Sequence, residues 1–233
     1  ARHTVASFIG ASESRDIVFC RNTSEALNIV AKSFGASVLK PGDEVCISIM
    51  EHHSNLIPWQ QVCRATGASL VYLRPDKQGI ITAEEMDSKI SQRTKIVSVT
   101  HVSNVLGIEN PVVELGKRVH AVGGYLVVDG AQSVPHIPVD VKQIGCDFFA
   151  FSGHKVFGPF GIGVLWGKHE LLDGMPPLIA YRKLMPSGRR SLKSSRREPK
   201  MLRAYTPLPK LLITSVLLAC KRSRSAKGFL WII

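Results

Sequence analysis

No run of about 18 consecutive apolar residues, the length a membrane-spanning helix needs, occurs in this chain. The longest late candidate, 211–220, is too short, so no membrane partner is expected. Cysteine is also scarce. Cys20, Cys46, Cys63, Cys146 and Cys220 are scattered without CxxC spacing, which argues against a zinc site and against a disulfide framework. Three of them lie in or beside apolar runs, the pattern of buried, reduced thiols, and a cytoplasmic location is expected. The chain does not open on a basic head followed by an apolar stretch, so nothing there reads as a targeting peptide. Acidic residues are missing from one region only. Residues 179–233 carry 14 Lys/Arg against Glu198 alone, whereas 1–178 carry 16 Lys/Arg and 17 Asp/Glu. The net charge of +12 therefore belongs to the tail, and a nucleic-acid partner is not expected for the domain.

What is present alternates. Short β-rich apolar runs at 16–20, 44–48, 69–73, 95–102, 125–129, 147–151 and 162–166 read as strands. Helical spacing of apolar residues appears at 24–34, 56–65 and 112–121, and at 83–90 behind a capping box of Thr82 and Glu85. Gly and Pro mark the joints. The expectation is an α/β domain built on a mostly parallel sheet covered by helices, in which chemistry gathers beyond the C-terminal ends of strands.

Polar residues fall at those ends. "RNTSEALN" puts Thr23 and Ser24 at a helix start, either as a simple cap or as a seat for phosphate. Glu51, His52 and His53 follow the second run. His52 could stack on a flat ring and act as acid or base, with His53 a bystander and Trp59 a packing residue. Asn104 follows the fourth run. "VVDGAQS" ends a strand with Asp129 and then Gln132; Asp129 is either a turn residue or an acid that keeps a heterocyclic nitrogen protonated. "FSGHKVFG" adds Ser152, His154 and Lys155. An amine that is desolvated or set beside another cation can attack an aldehyde, although a lysine in a Gly-rich loop can also simply snorkel to solvent. Acid, carboxamide and amine on successive strand ends suit pyridoxal 5'-phosphate.

Six motifs, "RNTSEALNIVA", "MEHHSNLIPWQ", "HVSNVLGIENPV", "VDGAQSVPHIPVDV", "CDFFAFSGHKVFGPFGIGVLWG" and "LLDGMPPL", resemble in order those of pyridoxal phosphate-dependent cysteine desulfurases in the class V aminotransferase family, in particular the selenocysteine lyase-like branch. The resemblance covers 1–178. It implies the large domain of a fold type I transferase with a seven-stranded sheet. It also implies that Lys155 captures the cofactor's aldehyde, Asp129 pairs with the pyridine nitrogen and His52 stacks on the ring. Gln132 and Asn104 would lie near the phenolic oxygen, and Thr23, Ser24, Ser152 and His154 near the phosphate. The family converts L-cysteine to L-alanine and passes sulfur to a separate acceptor protein, as in iron–sulfur cluster assembly, and its members resemble one another in being homodimers. Selenocysteine lysis or an aminotransferase-like step would use the same residues, and a non-catalytic fragment that only binds the cofactor is the alternative.

The tail departs from this pattern. The family places its nucleophilic cysteine and a carboxylate-binding arginine in the C-terminal half, and no matching motif follows Leu178; Cys220, in "LLACKRS", has no matching surroundings. "ARHTVASFIGA" resembles the end of a helix that begins earlier. Codons compatible with 188–215, regrouped one nucleotide earlier, permit WAEVPEKFEAGTQNVAGVYAAAKAIDYL without a stop, and its FEAGT resembles a family segment. The expectation is a large domain at 1–178, N-terminally incomplete, followed by an out-of-frame, poorly ordered tail at 179–233. Coding DNA incompatible with the shifted string would sink that expectation. A natural basic tail binding nucleic acid or an anionic membrane is the competing reading.

Overall fold

Strands form where β-branched and aromatic residues crowd together, and the computed structural model, which describes residues 1–178, assembles them into one sheet. The tail expected at 179–233 lies outside the described residues. The strands are β1 (Ile17–Cys20), β2 (Glu44–Ser48), β3 (Ser69–Leu73), β4 (Thr94–Thr100), β5 (Tyr125–Asp129), β6 (Phe148–Ser152) and β7 (Gly163–Gly167). Their order is β1-β7-β6-β5-β4-β2-β3. β7 runs antiparallel to β1 and β6, and all other neighbours pair in parallel. The expected mostly parallel, seven-stranded sheet is thus what the chain builds. β4 stops short of the expected 102 because Val102 is diverted into an isolated bridge with Glu109.

Both faces of the sheet are covered, which explains why the strands read as continuous apolar runs. In β5, Leu126 and Val128 enter one core while Val127 enters the other. The first core is closed by α1 (Arg2–Phe8), α5 (Ala83–Lys89), α6 (Val112–Ala121), α7 (Ser133–His136) and α8 (Val141–Ile144). The second is closed by α2 (Thr23–Ile29), a π-helical turn (Val30–Gly35) leading into α3 (Ala36–Val38), α4 (His53–Thr66) and α9 (His169–Gly174). Fully buried Trp59 of α4 fits against Gly35, where a Cβ would lie 2.8 Å from the indole ring. None of the described helices is long and apolar enough to cross a membrane.

Local chemistry sets the helix starts. α4 begins ahead of the expected residue 56 because His52 caps it, its ring accepting from the Ser54 amide. The capping box before α5 is only half formed. Thr82 accepts from the Glu85 amide, but the Glu85 carboxylate reaches the Arg74 amide instead.

At the N-terminal edge of the sheet, buried Asp147 joins four segments. One carboxylate oxygen accepts from the Leu126 amide (2.7 Å) and from His120 Nε2 (2.8 Å), and the other pairs with Lys168 Nζ (2.6 Å).

Candidate functional site

Parallel strands finish along one edge, and their register decides what meets there. Thr100 at the end of β4 pairs with Asp129 at the end of β5, and Asp129 pairs with Ala150 of β6. A crevice of about 240 Å³ opens beyond these ends. Each site residue expected from the sequence lines it. Thr23 and Ser24 come from the start of α2, His52 from the cap of α4, and Asn104 from the loop after β4. Asp129 ends β5, Gln132 sits at the start of α7 just beyond it, Ser152 comes from β6, and His154 and Lys155 come from the 3₁₀ turn Gly153–Val156 that follows.

The start of α2 is capped by Asn22, whose side chain accepts from the Glu25 amide (2.9 Å). The hydroxyls of Thr23 and Ser24 are thereby spared from capping. Thr23 donates its amide to Ser152 Oγ (2.8 Å) and pairs its hydroxyl with the same atom (2.6 Å). This approach requires Gly163, since a Cβ there would lie 2.5 Å from Asn22 Cα. Glycine at the start of β7 is what lets a helix start and two strand ends share one spot.

Asp129 is 3% exposed. Burial pushes its carboxyl up, while the hydrogen bond from the Ala131 amide and the charges of Lys155 and His52 pull it back. His52 lies across the crevice, with Nδ1 accepting from the Ser54 amide (3.1 Å) and 2.7 Å from the Ser54 hydroxyl. The His154 ring stacks on Phe160, with centroids 5.1 Å apart. Lys155 is half-buried, and two residues later Phe157 adopts φ 62°, a left-handed conformation that costs a non-glycine residue roughly 1–2 kcal/mol. The loop is held by Gly153 donating to Ile162 O and Gly158 to Gly153 O, both at 2.8 Å.

One neighbour escaped assignment at the sequence level. Glu51 reads as one more polar residue after a strand, yet its carboxyl turns inward to Ser48, Asn55 and Thr100. The only sequence signal was its place between a strand and His52, which an ordinary surface acid would share.

The four cysteines among the described residues are all buried and free. Burial is the main force pushing each thiol up, Cys20 and Cys46 to about 12, Cys63 to about 11 and Cys146 further still. None carries a ready thiolate. Site-resolved mass spectrometry after alkylation of the native chain at neutral pH is therefore expected to find these four almost unlabelled, and to find them labelled after denaturation. Rapid native labelling of Cys20, beside the crevice, would contradict this.

Comparison with known proteins fits the same frame. A family model described as aminotransferase class-V matches residues 1–215. A probable cysteine desulfurase of Halalkalibacterium halodurans is 54% identical over 178 residues, 76% of this chain and 44% of that protein. A cysteine desulfurase of Haloferax volcanii is 52% identical over 180 residues, 77% of this chain and 42% of that protein. Among solved structures, the cysteine desulfurase CsdA of Escherichia coli superposes with a TM-score of 0.83 at 34% identity, covering 97% of this chain and 56% of that one. The chain spans less than half the length of the curated relatives it matches.

Proposed function

The chain belongs to the aminotransferase class-V family, and from that premise we propose that it is the cofactor-binding part of a pyridoxal phosphate-dependent cysteine desulfurase. The observation that carries the reading is the convergence of Lys155, Asp129, His52 and the Thr23–Ser152 hydroxyl pair on one crevice. The donor set fits the cofactor. One amine, one enclosed acid, the His52 imidazole at the wall and a helix start with hydroxyls beside His154 match an aldehyde, a ring nitrogen, a ring face and a phosphate respectively.

When bound, the cofactor supplies an aldehyde that traps amines and a protonated ring that draws electrons. Lys155 would hold it through Nζ. Asp129 would keep the proton on the pyridine nitrogen, and that charge partner would offset the burial that pushes the free acid up. His52 would face the ring, Asn104 and Gln132 would lie near the phenolic oxygen, and Thr23, Ser24, Ser152 and His154 would bind the phosphate. The proposed substrate is L-cysteine, giving L-alanine, with sulfur leaving to an acceptor protein. A second copy of the chain is a further proposed partner, supported by Val105 and Phe160, which are 80% and 84% exposed beside the crevice. Reduced, buried thiols support a cytoplasmic location.

A second reading has its own observation. None of the four thiols among the described residues suits sulfur transfer, which favours a chain that binds the cofactor and turns over little. Spectra with added cofactor test the first reading, and sulfide and alanine assays with added cysteine separate it from the second.

A further inference from the structure

Glu51 takes part in no step described above, yet its carboxyl is enclosed beside the crevice. Oε1 accepts from Ser48 Oγ (2.5 Å) and from the Thr100 amide (3.0 Å), and Oε2 accepts from Asn55 Nδ2 (2.7 Å). Ser48 ends β2, Thr100 ends β4, and Asn55 lies in the first turn of α4. One side chain therefore ties two strand ends to the helix that His52 caps. Ser48 Oγ also accepts from the Met50 amide (3.1 Å), so the 49–52 turn is stitched from beneath.

The direction of these bonds is fixed. Asn55 cannot turn its amide around, because its Oδ1 already accepts from Trp59 Nε1 (3.1 Å) and Ser98 Oγ (2.7 Å), and an indole N–H only donates. Glu51 Oε2 must accept. The carboxyl is pushed up to about 7, chiefly by burial and against the pull of the three hydrogen bonds, with the charge of Asp129 adding a smaller push. Asp129 is one paired residue away, across from Thr100.

We propose that Glu51 is a positioning residue that holds the His52 imidazole over the crevice by locking the 49–52 turn to the ends of β2 and β4. The inference rests on the cofactor reading only for what that imidazole faces.

The test uses the cofactor-free full chain with nitrogen-labelled histidine, so its failure is separate from any failure to bind cofactor. Spectra are taken above the ordinary imidazole titration range, with the His52 signals assigned by loss in His52→Ala. Wild type is expected to show two well-separated ring-nitrogen signals for His52, because Nδ1 accepts from the Ser54 amide and a single tautomer dominates. Glu51→Gln must set its NH₂ against either the Asn55 NH₂ or the Thr100 amide, whichever way the amide turns, and should move the two signals toward their exchange average. The His120 signals, at the opposite edge of the sheet, should stay in place. Ser48→Ala, which removes the bond to Oε1 and the acceptor of the Met50 amide but keeps the carboxyl with its Asn55 and Thr100 bonds, should give a smaller shift in the same direction and serves if the Gln variant does not fold. A residue that only braces the fold would lower the melting temperature in both variants and leave His52 at wild-type values. That outcome overturns the proposal.

Discussion

Purified chain mixed with pyridoxal phosphate is expected to develop a visible absorption band, and Lys155→Ala is expected to abolish it completely. Among the described residues Lys155 is the only lysine lining the crevice, so no other described amine is placed to take over covalent capture. The same substitution should barely change the melting temperature, because a half-buried side chain away from the core shifts stability by about 0.5 kcal/mol or less. Loss of colour without loss of fold separates a cofactor-binding amine from a snorkelling one. A band retained in Lys155→Ala would refute the assignment. Added cysteine should yield little sulfide even in the coloured chain, given four buried thiols among the described residues, and robust release would overturn that reading of the sulfur step.

At the far edge of the sheet, Asp147→Ala is expected to destabilise the fold strongly. Its two oxygens serve three donors. Removing one partner of a fully buried ion pair costs about 3–5 kcal/mol. Here Lys168 and His120 are 39% and 36% exposed and can recover water, but the Leu126 amide, on a fully buried residue, is left without its carboxylate. A loss of about 2–4 kcal/mol follows, read from the denaturant midpoint at unchanged slope. A change below about 1 kcal/mol would mean that the three donors find other partners at little cost.

The strands were legible because both faces of the sheet are dry. "YLVVD" has no polar residue until Asp129, so the run, its end and the acid at that end could all be read together. The strand order was not legible from the runs themselves, since nothing in "GVLWG" says that β7 inserts between β1 and β6. Helix starts shifted where capping came from unexpected side chains. Asn22, rather than the hydroxyls beside it, closes α2, and an imidazole closes α4. Glu51 was hidden for a different reason. A carboxylate is ordinarily a surface group, and its partners Ser48, Asn55 and Thr100 are brought to it by three different elements, a convergence that no spacing along the chain encodes.

The pairing of Thr100 with Asp129 also makes the crevice a matter of parity. Side chains on a strand alternate between faces, so a single residue inserted within β5 would turn Asp129 from the face it shares with Val127 to the opposite face and bring Val128 into its place, while a deletion would bring Gly130 there. Two residues would restore the facing but move the acid along the strand by a full pleat. A change in the length of a central strand is therefore expected to displace the site as surely as loss of the residue at its tip.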